Sequence, residues 1–197
     1  MSGAGEASRG SGERARLFVA LDLPAAVRAT LAGWATGELR AHPGLRLIEQ
    51  RSLHVTLCFL GWRDVEEVGE IGAVCRSAAS EAGVPLSLGE ALWLPPRRPR
   101  VVAVELVNPD GALARLQAAV SRALTARGFY EPESRPFLGH VTVARVARGA
   151  RVARGARSAP LPPPETVHFD AEAVTLYRSR LERGGARYEA LETVRLG

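Results

Sequence analysis

Leu53-His54-Val55-Thr56-Leu57 and Gly139-His140-Val141-Thr142-Val143 are two versions of one apolar segment, in which histidine and threonine stand two positions apart. Each segment follows a strand-like stretch at a similar distance: Arg16-Leu-Phe-Val-Ala-Leu-Asp22 and Arg100-Val-Val-Ala-Val-Glu-Leu106. In between, apolar residues recur at helical spacing, which is the periodicity of an amphipathic helix. These residues are Val27, Leu31 and Trp34 after Pro24, and Leu113, Leu116, Val120 and Leu124 before Gly128. The order strand–helix–strand therefore occurs twice, which indicates an internal repeat.

The rest of the chain predicts one more helix and two hairpins. Residues 64–83 read as a helix that begins with a capping box formed by Asp64 and Glu67. Two pairs of strands around turns are predicted: 86–93 with 100–106, and 167–177 with 186–194. We therefore predict an α+β fold of two pseudo-symmetric lobes, each a mostly antiparallel sheet with outer helices, around a central cleft. Parallel βαβ winding is the alternative, and it is disfavoured because hairpins supply many of the strands.

Length and composition suit one domain. A chain of 197 residues with 46% apolar content can build one core, and we predict a single bilobal domain over residues 15–197, acting as a monomer. Residues 1–14 are rich in Gly, Ser, Arg and Glu and lack the apolar core of a signal peptide. They predict a disordered tail on a cytoplasmic protein. No apolar run is long enough to span a bilayer, so we expect no membrane partner.

All 26 basic residues are arginines, because the sequence contains no lysine. The favoured interpretation for most of them is a GC-rich genome, which prefers arginine codons, and phosphate binding, which arginine also suits, is the alternative. Residues 146–164 contain Val-Ala-Arg-Gly-Ala-Arg twice in succession and then several prolines. This composition predicts a mobile loop. The loop is interpreted as a low-complexity insertion, and a basic arm that contacts nucleic-acid phosphates is the alternative.

The duplicated motif indicates phosphodiester chemistry. Side chains two apart on a strand share a face, so we expect His54 and Thr56 to meet His140 and Thr142 in one small volume. In-line displacement at phosphorus needs a base on one side and an acid on the other, and histidine fills either role near neutral pH. Threonine hydroxyls can donate to the non-bridging oxygens. The motif therefore predicts hydrolysis without a metal or other cofactor. His42 and His168 lack this context and are interpreted as surface or structural residues.

At these residues the sequence resembles the two-histidine phosphoesterase superfamily, and within it the LigT-type branch described as RNA 2′,3′-cyclic phosphodiesterase or 2′-5′ RNA ligase-like. Four stretches carry the resemblance: 16–22, 53–61, 135–145, and 176–181 together with Tyr188. The resemblance implies the bilobal fold and RNA ends with a 2′,3′-cyclic phosphate as the partner. It also implies cleavage of the bond to the 3′ oxygen, which leaves a 2′-phosphate.

The same resemblance implies roles for individual residues. His54 is the proton donor and His140 the proton acceptor, an order that the symmetry of the motifs alone leaves open. Thr56 and Thr142 are phosphate-binding groups. Arg135 and Arg178 are candidate substrate contacts, or equally surface ion-pair partners. Gly139 departs from the family, whose members commonly carry proline there, and we expect glycine to loosen the backbone at this point.

Three other functions remain open at this stage. The first is 2′-5′ RNA ligase activity, the reverse reaction in which an RNA 5′-hydroxyl replaces water. The second is a non-catalytic module that binds nucleotide or RNA, which the intact motifs disfavour. The third is a metallohydrolase, which is disfavoured because the sequence has no H-x-H or H-E-x-x-H cluster.

Overall fold

The computed structural model describes residues 12–79, 83–147, 149, 160–182 and 185–196. Within these ranges, nine strands form one sheet and three α-helices pack on it. The strands are β1 (Arg14–Asp22), β2 (Leu45–Leu47), β3 (Val55–Asp64), β4 (Pro85–Leu94), β5 (Val101–Val107), β6 (His140–Val146), β7 (His168–Asp170), β8 (Ala173–Glu182) and β9 (Gly185–Arg195). The helices are α1 (Ala25–Leu39), α2 (Val68–Ala78) and α3 (Ala112–Ala126).

The sheet has the order β7-β4-β5-β6-β3-β1-β8-β9, and β2 pairs with β6. All pairings between the described strands are antiparallel. The α+β prediction is therefore confirmed, and the parallel βαβ alternative is wrong. β1, β3, β8 and β9 make one lobe, and the remaining strands make the other. The lobes join where Val55 of β3 pairs with Val141 of β6, so the two predicted sheets are continuous.

The helices that follow β1 and β5 are exchanged between the lobes. α1 leaves β1 but contacts β6 and β2, whereas α3 leaves β5 and contacts β3 and α2. The predicted apolar faces are the ones buried, with Leu31 of α1 and Val120 and Leu124 of α3 fully enclosed. Each lobe therefore contains a helix from the other repeat. The two halves share their cores as well as their sheet, which holds the junction between them.

Two predicted helix signals are present, and one helix boundary differs. The capping box of Asp64 and Glu67 forms, with the Asp64 N–H donating to Glu67 Oε2 at 3.0 Å. The helix opens with a 3₁₀ turn at Val65–Glu67, and α2 ends at Ala78 rather than at residue 83; residues 80–82 lie outside the described ranges. Gly128 follows α3 with φ 73°, a left-handed conformation that suits a glycine terminator.

The strand predicted at 167–177 is divided between the two lobes. β7 pairs with β4, whereas β8 pairs with β1. At the crossing, the Ala171 N–H donates to Val84 O at 3.0 Å and the Glu172 N–H to Asp22 O at 3.2 Å. The chain thus changes its pairing partner without a turn signal, and the apolar pattern of the sequence shows one strand where there are two.

The ends of the predicted tail and loop belong to the fold. Glu13 and Arg14 fall in the predicted tail, but the Glu13 carbonyl accepts the Val65 N–H at 2.9 Å and β1 begins at Arg14. Residues 1–11 lie outside the described ranges. At the far end of the predicted loop, Leu161 is buried and Trp34 Nε1–H donates to Pro162 O at 3.2 Å. Residues 148 and 150–159 also lie outside the description. None of the helices in the described ranges is long and apolar enough to cross a membrane.

Candidate active site

Both His-x-Thr motifs lie where the lobes join. Val55 and Val141 pair there and are fully buried on the helix side, so the neighbouring histidines and threonines project from the other side, termed the motif face. This register places His54 beside Thr142 and Thr56 beside His140. Directly opposed side chains have Cβ atoms about 5 Å apart, and diagonal ones about 7–8 Å. These spacings predict that the four side chains form a compact square with the imidazoles on one diagonal. They are neighbours on adjacent strands, rather than groups facing each other from two separate sheets.

The two imidazole rings are held in the same way. His54 Nδ1 lies 2.8 Å from Ser52 O, and His140 Nδ1 lies 2.8 Å from Leu138 O. A carbonyl oxygen only accepts hydrogen bonds, so Nδ1 carries the hydrogen in each ring. This leaves Nε2 of both rings to exchange a proton with a ligand.

A β-bulge follows each motif at the same position. Across β1 and β3, the partners of Ala20 and Val19 are Thr56 and Cys58, which leaves Leu57 as the extra residue. Across β5 and β6, the partners of Ala103 and Val102 are Thr142 and Ala144, which leaves Val143 as the extra residue. A bulge changes the direction of the side chains after it. Phe59 and Arg145, at equivalent positions of the two repeats, are thereby brought onto the motif face.

Three of the described cavities border this square. The first, of about 440 Å³, and a smaller third, of about 350 Å³, are lined by His54, and the second, of about 620 Å³, is lined by His140. Thr56, Phe59 and Arg145 line both the first and the second cavity, whereas Thr142 lines none of the three. Each volume lies in the range of small-molecule sites. The Thr56 hydroxyl and the Arg145 guanidinium can therefore be reached from both the first and the second cavity, and each of these two cavities has one imidazole in its lining.

His54 is enclosed by aromatic rings, whereas His140 is more open. The centroid of the His54 ring lies 4.9 Å from that of Phe18 and 5.2 Å from that of Tyr188, which meets it edge-on. Burial lowers the pKa of His54, because desolvation disfavours the charged imidazolium. The hydrogen bond to Ser52 O and the charge of Asp22 oppose this shift, and Arg145 adds to it.

Replacing Tyr188 by alanine is expected to raise the pKa of His54 towards its ordinary value of about 6.5, because it opens one side of the ring to water. The titration can be followed by NMR from the ring C–H signals of His54. Tyr130→Ala is the matched control, since Tyr130 lines only the His140 cavity among those described, and it should leave the His54 titration unchanged. An unchanged or lower pKa in Tyr188→Ala would contradict burial as the cause.

The two candidate arginines have different surroundings. Arg135 lines the His140 cavity, is largely exposed, and lies 3.4 Å from a Glu133 carboxylate oxygen. Arg178 lines none of the described cavities and pairs with Glu13. It is the direct cross-strand partner of Leu17, which is fully buried, and so projects from the helix side. The structure therefore favours the ion-pair interpretation for Arg178 and leaves Arg135 at the rim of the site.

Gly139 allows a close approach of α3 to the site. A Cβ atom there would lie 2.5 Å from Leu113 Cδ2, and Leu113 is buried. The Gly139 carbonyl accepts the Leu106 N–H at 2.9 Å. This glycine therefore makes room for packing behind His140, and the loosening expected from the sequence stays a prediction.

Sequence reasoning missed several residues of the site. Phe18, Phe59, Arg145 and Tyr188 all lie within or beside the stretches that carried the resemblance, but no role was assigned to them. Simple alternation from Thr142 predicts that Arg145 points to the core, and only the bulge at Val143 reverses this. In the described part of the chain, no three His, Cys, Asp or Glu side chains are grouped so that they could hold a metal ion.

Comparison with solved structures supports the fold. The structure of Escherichia coli LigT complexed with 3′-AMP superposes with a TM-score of 0.77 and 30% identity, over 93% of this chain and 99% of that one. A protein of Thermus thermophilus gives a TM-score of 0.77 at 29% identity, over 92% and 97% of the two chains. The PDE domain of MHV ns2, at 10% identity and a TM-score of 0.52, shares the fold alone.

Sequence comparison gives the family. An RNA 2′,3′-cyclic phosphodiesterase of Escherichia coli K12 is 32% identical over 182 residues, which are 91% of this chain and 96% of that protein. Another of that name, from Aeropyrum pernix, is 32% identical over 159 residues, 79% and 89% of the two chains. The family model described as the 2′-5′ RNA ligase superfamily matches residues 24–183. The resemblance found in the motifs is thus confirmed, and the chain belongs to the 2′-5′ RNA ligase superfamily.

Proposed function

We propose that this protein is an RNA 2′,3′-cyclic phosphodiesterase, a hydrolase that opens the terminal cyclic phosphate of RNA to a 2′-phosphate without a metal. The observation that carries the proposal is the square of two histidines and two threonines, in which both imidazoles keep Nε2 for a ligand. The curated relatives of that name support the substrate. The Escherichia coli LigT structures complexed with 3′-AMP and with phosphate support a nucleotide phosphate as the ligand.

The proposed reaction is an in-line displacement at phosphorus. His140 Nε2 takes a proton from water, the water oxygen bonds to phosphorus, and the bond from phosphorus to O3′ breaks. His54 Nε2–H gives its proton to O3′, so the products are a 2′-phosphomonoester and a free 3′-hydroxyl. The hydroxyls of Thr56 and Thr142 donate to the non-bridging oxygens, and Arg145 balances their charge. The order of donor and acceptor follows the family resemblance.

The donor role places a condition on His54. Burial lowers its pKa in the free protein, whereas a donor must hold a proton. The negative charge of the bound cyclic phosphate favours the imidazolium, so substrate binding would supply the protonated form. RNA ends as the partner follow from this proposal, and a cytoplasmic monomer stays a prediction.

The decisive experiment identifies the product made from a short RNA that ends in a 2′,3′-cyclic phosphate. We expect only the 2′-phosphate, assigned by ³¹P NMR against authentic 2′- and 3′-phosphate standards, and we expect the same rate after exhaustive chelation. A 3′-phosphate product, or no product from folded protein, would contradict the proposal. Loss of activity on chelation that one metal restores would contradict the metal-free mechanism.

One observation favours ligation as a second activity. The cavity on the His140 side, where hydrolysis needs only water, has about 620 Å³, enough for a nucleotide. An RNA 5′-hydroxyl bound there would lose its proton to His140 and attack phosphorus in place of water, giving a 2′,5′ linkage. Adding a 5′-hydroxyl oligonucleotide to the assay would reveal this product.

A further inference from the structure

Phe59, Arg16 and Trp62 form a strip on the motif face that leads away from the His-x-Thr square. Arg16 lines the His54 cavity, and its guanidinium carbon lies 4.8 Å from the centroid of the Phe59 ring. Trp62 is the direct cross-strand partner of Arg16, so the two side chains share a face. Phe59 is 44% exposed and Trp62 is 56% exposed. Two exposed aromatic rings and a partly exposed cation therefore extend along the sheet away from the proposed catalytic residues.

A second bulge in β3 produces this arrangement. Leu17 pairs with Gly61 and Phe18 with Phe59, so Leu60 is the extra residue. Gly61 has φ 71°, a conformation that glycine adopts without strain. Without the bulge, Trp62 would point to the helix side, where it could be buried. The backbone of Trp62 is also held, since Arg14 Nη2 donates to its carbonyl oxygen at 2.8 Å. The chain thus directs its large indole ring outward along the path from the square.

We propose that this strip binds the single-stranded RNA that precedes the terminal cyclic phosphate, with a base stacked on Trp62. The inference rests on the proposed function and deepens it, because it assigns a binding site to the nucleotides that precede the cyclic-phosphate end and predicts a preference for oligonucleotides over cyclic mononucleotides. Open aromatic rings combined with arginine are the usual means of holding single strands, because every base has a face that can stack. The strip also lies on the side of His54, the proposed donor to O3′, where the ribose and the rest of the RNA must lie.

The dimensions of the strip fit this ligand. Thr56 is opposite Ala20 and Trp62 is opposite Arg16, so the strip spans the β1 segment between them, about 13 Å at roughly 3.3 Å per residue. Stacked bases rise about 3.4 Å each, so a few nucleotides cover this length. Asp64, two residues after Trp62 on β3, is paired with Arg14 at 3.5 Å, which limits its repulsion of a phosphate.

The test compares two substrates in Trp62→Ala. For an RNA of several nucleotides with a cyclic-phosphate end, kcat/KM should fall about tenfold or more, mainly through KM, because one stacking partner is lost. For a 2′,3′-cyclic mononucleotide, kcat/KM should change less than about twofold, because the strip lies beyond the first nucleotide. Trp62→Phe should recover most of the loss. Val107→Ala removes another exposed apolar side chain, 43% exposed on β5, and should affect neither substrate.

Direct binding separates this inference from the proposed function. Anisotropy of a labelled RNA ending in a 2′-phosphate should show a Kd about tenfold weaker for Trp62→Ala, whether or not the protein turns over. If the wild-type protein is inactive but still binds RNA more tightly than Trp62→Ala, the proposed function is contradicted and the proposal that the strip binds RNA is supported. The proposal that the strip binds RNA would be contradicted by any of three results in Trp62→Ala. These are an equal loss of kcat/KM for both substrates, unchanged RNA binding, and a change in oligomeric state without an effect on RNA.

Discussion

Replacing His54 or His140 by asparagine is expected to lower kcat for a cyclic-phosphate RNA by about 10³-fold or more, because general acid–base groups contribute roughly 10²–10⁴-fold each. Asparagine is the informative substitution. Its side-chain N–H₂ occupies nearly the place of the histidine Nδ1. It can therefore donate to Ser52 O or Leu138 O, the carbonyl oxygens that lie 2.8 Å from Nδ1 of His54 and of His140 in the wild type. The local structure is therefore retained, and the group at Nε2 is lost.

Single-turnover kinetics at saturating protein would measure this loss, and RNA binding should stay within a few-fold because the threonines and Arg145 remain. His168→Asn is the matched control, since His168 is exposed on β7 and lines none of the described cavities. The two losses should not add in the double variant, because acid and base act in the same step. Activity within tenfold of the wild type in either single variant would refute the paired mechanism.

Much of the fold follows from local patterns in the sequence. The capping box at Asp64, the terminator at Gly128 and the apolar faces of α1 and α3 are all set by residues a few positions apart. The exchange of α1 and α3 between the lobes, and the division of the strand at Ala171, depend on which strand the chain meets in three dimensions. Periodicity shows which side of an element is buried, but it carries no information about the partner.

The same distinction applies to the site. The repeat was sufficient to select His54, Thr56, His140 and Thr142, because pairs two apart on a strand share a face whatever the partner is. Arg145 could not be selected in this way. Its orientation depends on an extra residue in the ladder with β5, and bulges arise from pairing between strands rather than from the local sequence. The residues that alternation predicts incorrectly are thus those that follow the bulges.

The arginine that follows the second bulge should matter almost as much as the histidines. Arg145→Ala is expected to lower kcat/KM about 10²–10³-fold, the usual cost of removing one preorganised donor to a charged transition state. Arg145→Lys should recover only part of this, because an ammonium group lacks the planar fork that matches phosphate. Arg122→Ala is the matched control, since Arg122 is exposed on α3 and lines none of the described cavities, and it should stay within about threefold given the weak contribution of exposed charges.

A second measurement distinguishes a direct role of Arg145 from a structural one. Arg145 is among the causes that lower the pKa of His54, because a positive charge disfavours the nearby imidazolium. Arg145→Ala should therefore raise the pKa of His54, seen by NMR as a titration displaced to higher pH. A variant with lost activity, an unmoved His54 titration and a lower Tm would indicate that Arg145 acts through the fold. Full activity would show that the guanidinium shared by the two cavities does not meet the phosphate.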